Sequence, residues 1–173
     1  IREDADCLRV TSEYVNKTET EFFWGMRMND THDAGYGNVF IPENTFKNEN
    51  PEVLFGKDIR HGAVTAVDYL NEKVRAFALA YIMDVVDRYE VDGIFLDFFR
   101  HPIFFRSNAN GLPATGEERE AMNDFMSQVK TELDKRRLAA GKYFLVSVRV
   151  PDSVEYCNAI GLDLNTWFSE GLT

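Results

Sequence analysis

The tightest constraint on how this chain folds lies between Asn71 and Asp97. Apolar residues at Val74, Phe77, Ala78, Tyr81, Ile82, Val85, Val86 and Tyr89 recur at the three-four spacing of one helix face, and Asn71 stands where a helix cap belongs. An Asp92-Gly93 turn leads directly into Gly93-Ile-Phe-Leu96, a run too apolar for a strand with one wet face. The run predicts a parallel strand covered on both sides, and Asp97 stands at its exit as a lone carboxylate. In parallel α/β architectures the side chains at the carboxyl ends of strands line the crevice where ligands bind, which makes Asp97 the first candidate functional residue. The structural alternative is that it caps the following loop or pairs with an arginine.

Two further runs have strand length and the same kind of exit. Phe22-Phe-Trp-Gly-Met-Arg-Met28 carries Arg27 near its end, and Tyr143-Phe-Leu-Val-Ser-Val-Arg-Val150 carries Arg149. Immediately after the first comes Asn29-Asp-Thr-His-Asp33, a dense set of polar groups at the same end of its strand as Asp97 is of its own. Between the second and third strands, Thr115-Gly-Glu-Glu118 is a capping-box pattern opening a helix with Met122, Phe125, Met126, Val129 and Leu133 inward, and Gly141 is its stop. Strand, helix, strand in that order implies right-handed parallel crossovers and an α/β fold.

The remainder is less patterned. Residues 1 to about 19 give weak support for a surface helix, and short helices are expected over Ser153 to Ile160 and Asp163 to Ser169. Ala34 to about Leu70 has glycines, prolines and four aromatics with no sustained period; it reads as a folded lid or binding loop, with a packed structural excursion as the alternative.

With 173 residues, 45% of them hydrophobic, the chain supports one sizeable core, and no linker or repeat divides it; residues 1–173 read as a single unit. A net charge of -10 argues against a nucleic-acid partner, which would need clustered Lys and Arg. No apolar run approaches the ~20 residues of a membrane span. Cys7 and Cys157 are too few for a disulfide framework. The sequence contains no targeting segment, and the abrupt end after Trp167-Phe-Ser-Glu-Gly-Leu-Thr173 is expected of a fragment.

Side chains alternate across a strand, so Arg27, Asp97 and Arg149 meet at one rim if their strands are neighbours. A carboxylate between two guanidinium groups suits a nucleophile or an electrostatic stabiliser better than a general acid; a structural ion-pair network is the alternative. Arg27-Met-Asn-Asp-Thr-His-Asp33, Tyr89-Glu-Val-Asp-Gly-Ile-Phe-Leu-Asp97, Val146-Ser-Val-Arg149, Gly161-Leu-Asp-Leu, Trp167 and Glu170-Gly-Leu together resemble the glycoside-hydrolase-like TIM barrels, many of them uncharacterised proteins of polysaccharide-degrading bacteria.

The resemblance implies a (β/α)8 TIM barrel, with this chain a partial barrel of about strands three to five and flanking helices within a catalytic domain. It implies a carbohydrate-active hydrolase cleaving glycosidic bonds in a poly- or oligosaccharide, secreted or periplasmic. Asp97 would be the nucleophile or charge stabiliser. Its partner acid is not assignable from these residues, since retaining chemistry needs a second carboxyl group about 5 to 5.5 Å away.

The substrate-binding set is Arg27, Asn29, Asp30, His32, Asp33, Tyr36, Arg100, His101 and Arg149, with Asp30, His32 and Asp33 placed to hold sugar hydroxyls. Arg100 and His101 contact substrate or brace the loop. No His-x-x-x-His or comparable ligand spacing occurs, so no cofactor and no metal is assigned. Two alternatives stay open: a metal-dependent TIM-barrel hydrolase using Asp30, His32, Asp33 and Asp97, and a non-catalytic sugar-binding barrel.

Overall fold

An apolar run can be buried only if its backbone donors and acceptors are paired, and the three predicted strands meet that need by pairing with one another. The computed structural model of the chain describes residues 6–33, 45–60, 63–141 and 143–173. In chain order its elements are α1 (Cys7–Val15), β1 (Phe23–Arg27), α2 (Thr45–Glu49), a 3-10 turn (Pro51–Val53), α3 (Glu72–Arg88), β2 (Gly93–Asp97), α4 (Arg106–Ala109), α5 (Gly116–Ala140), β3 (Leu145–Arg149), α6 (Val154–Ala159) and α7 (Leu164–Ser169). The strands form one parallel sheet in the order β1-β2-β3.

Local chemistry sets the helix ends where the sequence marks them. The Asn71 side chain accepts from the Lys73 amide at the start of α3. Thr115 and Glu118 close a reciprocal capping box at α5, and Gly141 takes the left-handed conformation, φ 63°, that ends it. The turn into β2 needs glycine for a different reason: a Cβ on Gly93 would lie 2.5 Å from the Leu145 carbonyl oxygen and 2.5 Å from the Phe23 ring.

The core lies on one side of the sheet. Ile94 and Leu96 of β2 are fully buried against Ala78, Ile82 and Val86 of α3 and Met122, Phe125, Met126 and Val129 of α5. Trp24, Met26, Val146 and Val148 pack on the same cluster from the flanking strands. Burying one such aliphatic or aromatic side chain is worth about 1.5–3 kcal/mol, which is what holds α3 and α5 to the sheet.

On the opposite face Gly25, Arg27, Leu145 and Arg149 are exposed, and Phe95, Asp97 and Ser147 are only half-buried. The strands are therefore covered on one side rather than on both as their composition predicts.

The expected barrel is also corrected. Among the described residues there are three strands and seven α-helices in an open α/β arrangement, with no closure of the sheet on itself. Alternating strands and helices are common to every parallel α/β architecture, so the pattern that predicts the crossovers carries no information on closure.

Described residues 45–60 and 63–70 of the predicted lid form a packed excursion. Val53, Phe55, Ala66 and Tyr69 are buried. The segment folds back on itself through an antiparallel bridge between Leu54 and Val67. It is anchored where the Tyr69 hydroxyl donates to the Met28 carbonyl at the exit of β1.

Candidate functional site at the carboxyl end of the sheet

Parallel register places Arg27 opposite Asp97 and Asp97 opposite Arg149, so all three occupy one rung at the carboxyl end of the sheet. The Asp97 side chain is 11% exposed, whereas both arginines are about half exposed. Asp97 Oδ1 accepts from the backbone N–H groups of Phe99 at 2.9 Å and Arg100 at 3.0 Å. Arg149 Nη1 donates to Oδ2 at 3.3 Å, and its guanidinium lies over the Phe99 ring. Asp97 thus shapes the turn after β2 through Oδ1, while Oδ2 is held by the half-exposed Arg149 guanidinium.

Arg27 does not complete the expected bracket around Asp97. Its Nη1 donates instead to Asp30 Oδ2 at 2.8 Å, because the turn after β1 returns a carboxylate three residues later. Asp30 Oδ1 accepts from the His32 backbone N–H at 2.9 Å and from the His32 ring Nδ1 at 2.5 Å. Burial works to raise the Asp30 pKa, but these bonds from His32 and Arg27 outweigh it and hold the carboxyl well below the usual range.

Arg100 Nη2 lies 3.2 Å from His32 Nε2. A guanidinium can only donate, so Nε2 is the acceptor and the ring proton sits on Nδ1, facing Asp30.

His101 packs its ring edge-on to His32, centroids 5.0 Å apart. Its Nδ1 is buried without a hydrogen-bond partner. Burial lowers the His101 pKa, and His32, Arg100 and Arg27 push in the same direction against Asp30.

One carboxylate oxygen of Asp30 and one nitrogen from each histidine lie within 4.8 Å of one another. The loops after β1 and β2 thus bring together Arg27, Asp30, His32, Arg100 and His101, beside Asp97 and Arg149.

Two predicted contact residues have other work. The Asn29 side chain is buried; it donates to the carbonyls of Val67 and Ile103 and accepts from the Val67 amide, tying three loops together. Asp33 accepts from Lys47 Nζ at 2.9 Å and from Thr65 Oγ1 at 2.7 Å. Both oxygens of Asp33 are therefore held by the excursion that carries Lys47 and Thr65. Tyr36 lies outside the described residues.

The sequence reading missed Lys47, a nearly buried cation that also donates to the Asp30 carbonyl at 2.9 Å. It sits in an unpatterned stretch, where nothing local distinguishes it from a surface lysine. Also missed was a groove of about 580 Å³ beside β1, lined by Trp24, Phe46, Phe77 and Tyr81, with Arg27 and Asp30 at its polar end. Phe46 stacks on Phe77 at 4.0 Å, and Trp24 meets Tyr81 edge-on at 5.7 Å. The three-four spacing places Phe77 and Tyr81 on the core face of α3, yet both are exposed. No described helix is long and apolar enough to cross a membrane. In comparisons with known proteins, the chain matches no family and no curated relative.

Proposed function

We propose that the carboxyl rim of the sheet is the site of a carbohydrate-active hydrolase that cleaves glycosidic bonds, the activity implied by the chain's resemblance to glycoside-hydrolase-like proteins. The observation that carries the reading is Asp97: a carboxylate at the exit of the central strand, sharing its rung with two arginines, its Oδ2 held by the half-exposed Arg149 guanidinium. That oxygen is the nucleophile, or it offsets the positive charge that develops on the sugar ring as the bond breaks. Arg27, Arg100 and Arg149 supply donors for sugar hydroxyls. Aromatic faces of Phe77 and Tyr81 in the neighbouring groove give a ring its apolar platform. Asp30, ionised by its partners, does not serve as the proton donor.

The test is turnover on a panel of defined glycans. Asp97→Asn keeps an acceptor for the Phe99 and Arg100 amides and removes the charge, so turnover should fall by about 10³-fold or more while the fold and glycan binding persist. Unchanged turnover overturns the assignment. Glycan binding without hydrolysis by the unaltered chain would identify a sugar-binding protein instead.

A further inference from the structure

The geometry points to a divalent transition-metal site formed by Asp30, His32 and His101, a ligand set different from the one the sequence alternative named. Asp33 is engaged by Lys47 and Thr65, and neither it nor Asp97 belongs to the group of ligand atoms that converges. The carboxylate oxygen and two imidazole nitrogens that do converge lie within 4.8 Å of one another. Bonds of about 2.0–2.2 Å to a central ion would place such atoms roughly 3 to 4 Å apart, a contraction that side-chain rotation can supply.

Two features make this more than a chance grouping. His101 Nδ1 is shut away from water with no hydrogen-bond partner. Buried polar atoms normally have a partner, so this ring nitrogen marks His101 as a side chain whose bonding the described residues leave incomplete. Second, Asp30 is anchored from behind: Arg27 takes Oδ2, and the His32 backbone N–H steadies Oδ1 where it meets the His32 ring. Such outer contacts are how ligating carboxylates are oriented.

Two imidazoles and one carboxylate suit zinc or a related ion, not calcium or magnesium with their all-oxygen shells. Three protein ligands leave a fourth position open, as in sites that activate water.

Arg100 is the competitor. Its guanidinium lies against His32 Nε2, and coordination through Nδ1 would put the ring proton on that nitrogen, so Arg100 has to swing out into solvent. Removing it should therefore tighten metal binding rather than weaken it.

Titration calorimetry of the chelator-treated chain with zinc tests the site by binding, independently of whether the chain is a glycosidase. One zinc per chain is expected, with affinity reduced at least tenfold in His101→Ala and in His32→Ala and increased in Arg100→Ala. Circular dichroism separates loss of a ligand from loss of fold, and His32, on a half-buried turn, serves if His101→Ala does not fold. No zinc uptake, or uptake unaltered by both histidine substitutions, overturns the proposal; the second result would place the ion elsewhere, for example on the exposed Cys7.

Discussion

Asp97 Oδ2 lies 3.3 Å from Arg149 Nη1, across one rung of the β2–β3 ladder. The arginine is half exposed while the carboxylate is mostly covered, so the pair is screened by solvent and adds little to folding. Arg149→Ala should lower unfolding free energy by less than about 1 kcal/mol. On the proposed function the same change should lower kcat/KM on a cleavable glycan by tenfold or more. A large drop in thermal midpoint with unaltered kinetics would make the pair structural.

Asp97 itself separates two roles by which atom is kept. Its Oδ1 accepts from two backbone amides, each bond worth about 0.5–1.5 kcal/mol. Asp97→Ala should therefore destabilise the chain by about 1–3 kcal/mol in urea unfolding, whereas Asp97→Asn, which preserves the acceptor, should cost clearly less. Equal losses for the two substitutions would show that the charge, rather than the turn, is what the fold uses.

The local signals were legible and the long-range ones were not. Asn71, the Thr115–Glu118 box and Gly141 end their helices by contacts within four residues, so sequence spacing is enough to find them. Strand parity likewise puts Arg27, Asp97 and Arg149 on one face. Coverage of that face is another matter. Phe23 and Phe95 make the runs look buried on both sides, but what covers a sheet is decided by the rest of the fold.

The site divides in the same way. Arg27 chose Asp30 over Asp97 because of a three-residue turn. Asn29 was claimed by Val67 and Ile103, partners 38 and 74 residues away in sequence. His101 gained its place beside His32 from two separate loops, which no spacing rule anticipates.

Gly93 marks where β1 and β3 close on the start of β2. A methyl group there meets the Leu145 carbonyl and the Phe23 ring at once, and backbone cannot rotate out of the way as a side chain can. Gly93→Ala should cost about 1–3 kcal/mol in denaturant unfolding. Adding Phe23→Leu should recover only the part due to the ring, leaving the cost of the carbonyl contact. Full recovery would show that the β2–β3 backbone has room to adjust.

Asp163 caps α7, with Oδ1 accepting from the Thr166 amide and Oδ2 from its hydroxyl. The Thr166 hydroxyl bond is the main cause that lowers the Asp163 pKa from 3.8; burial opposes it, and the Thr166 amide, Asn123 and Arg119 add to the lowering. Because the folded value lies below the unfolded one, the stabilisation is fully present above pH 3.8 and is lost as pH falls through the folded value. Asp163→Ala should cost about 1 kcal/mol near neutrality, the usual penalty for an N-cap. The difference in unfolding free energy between the two chains should then shrink steadily below pH 3.8. A difference that stays constant from pH 6 to pH 2 would mean that the carboxylate charge contributes nothing and that packing alone explains the loss.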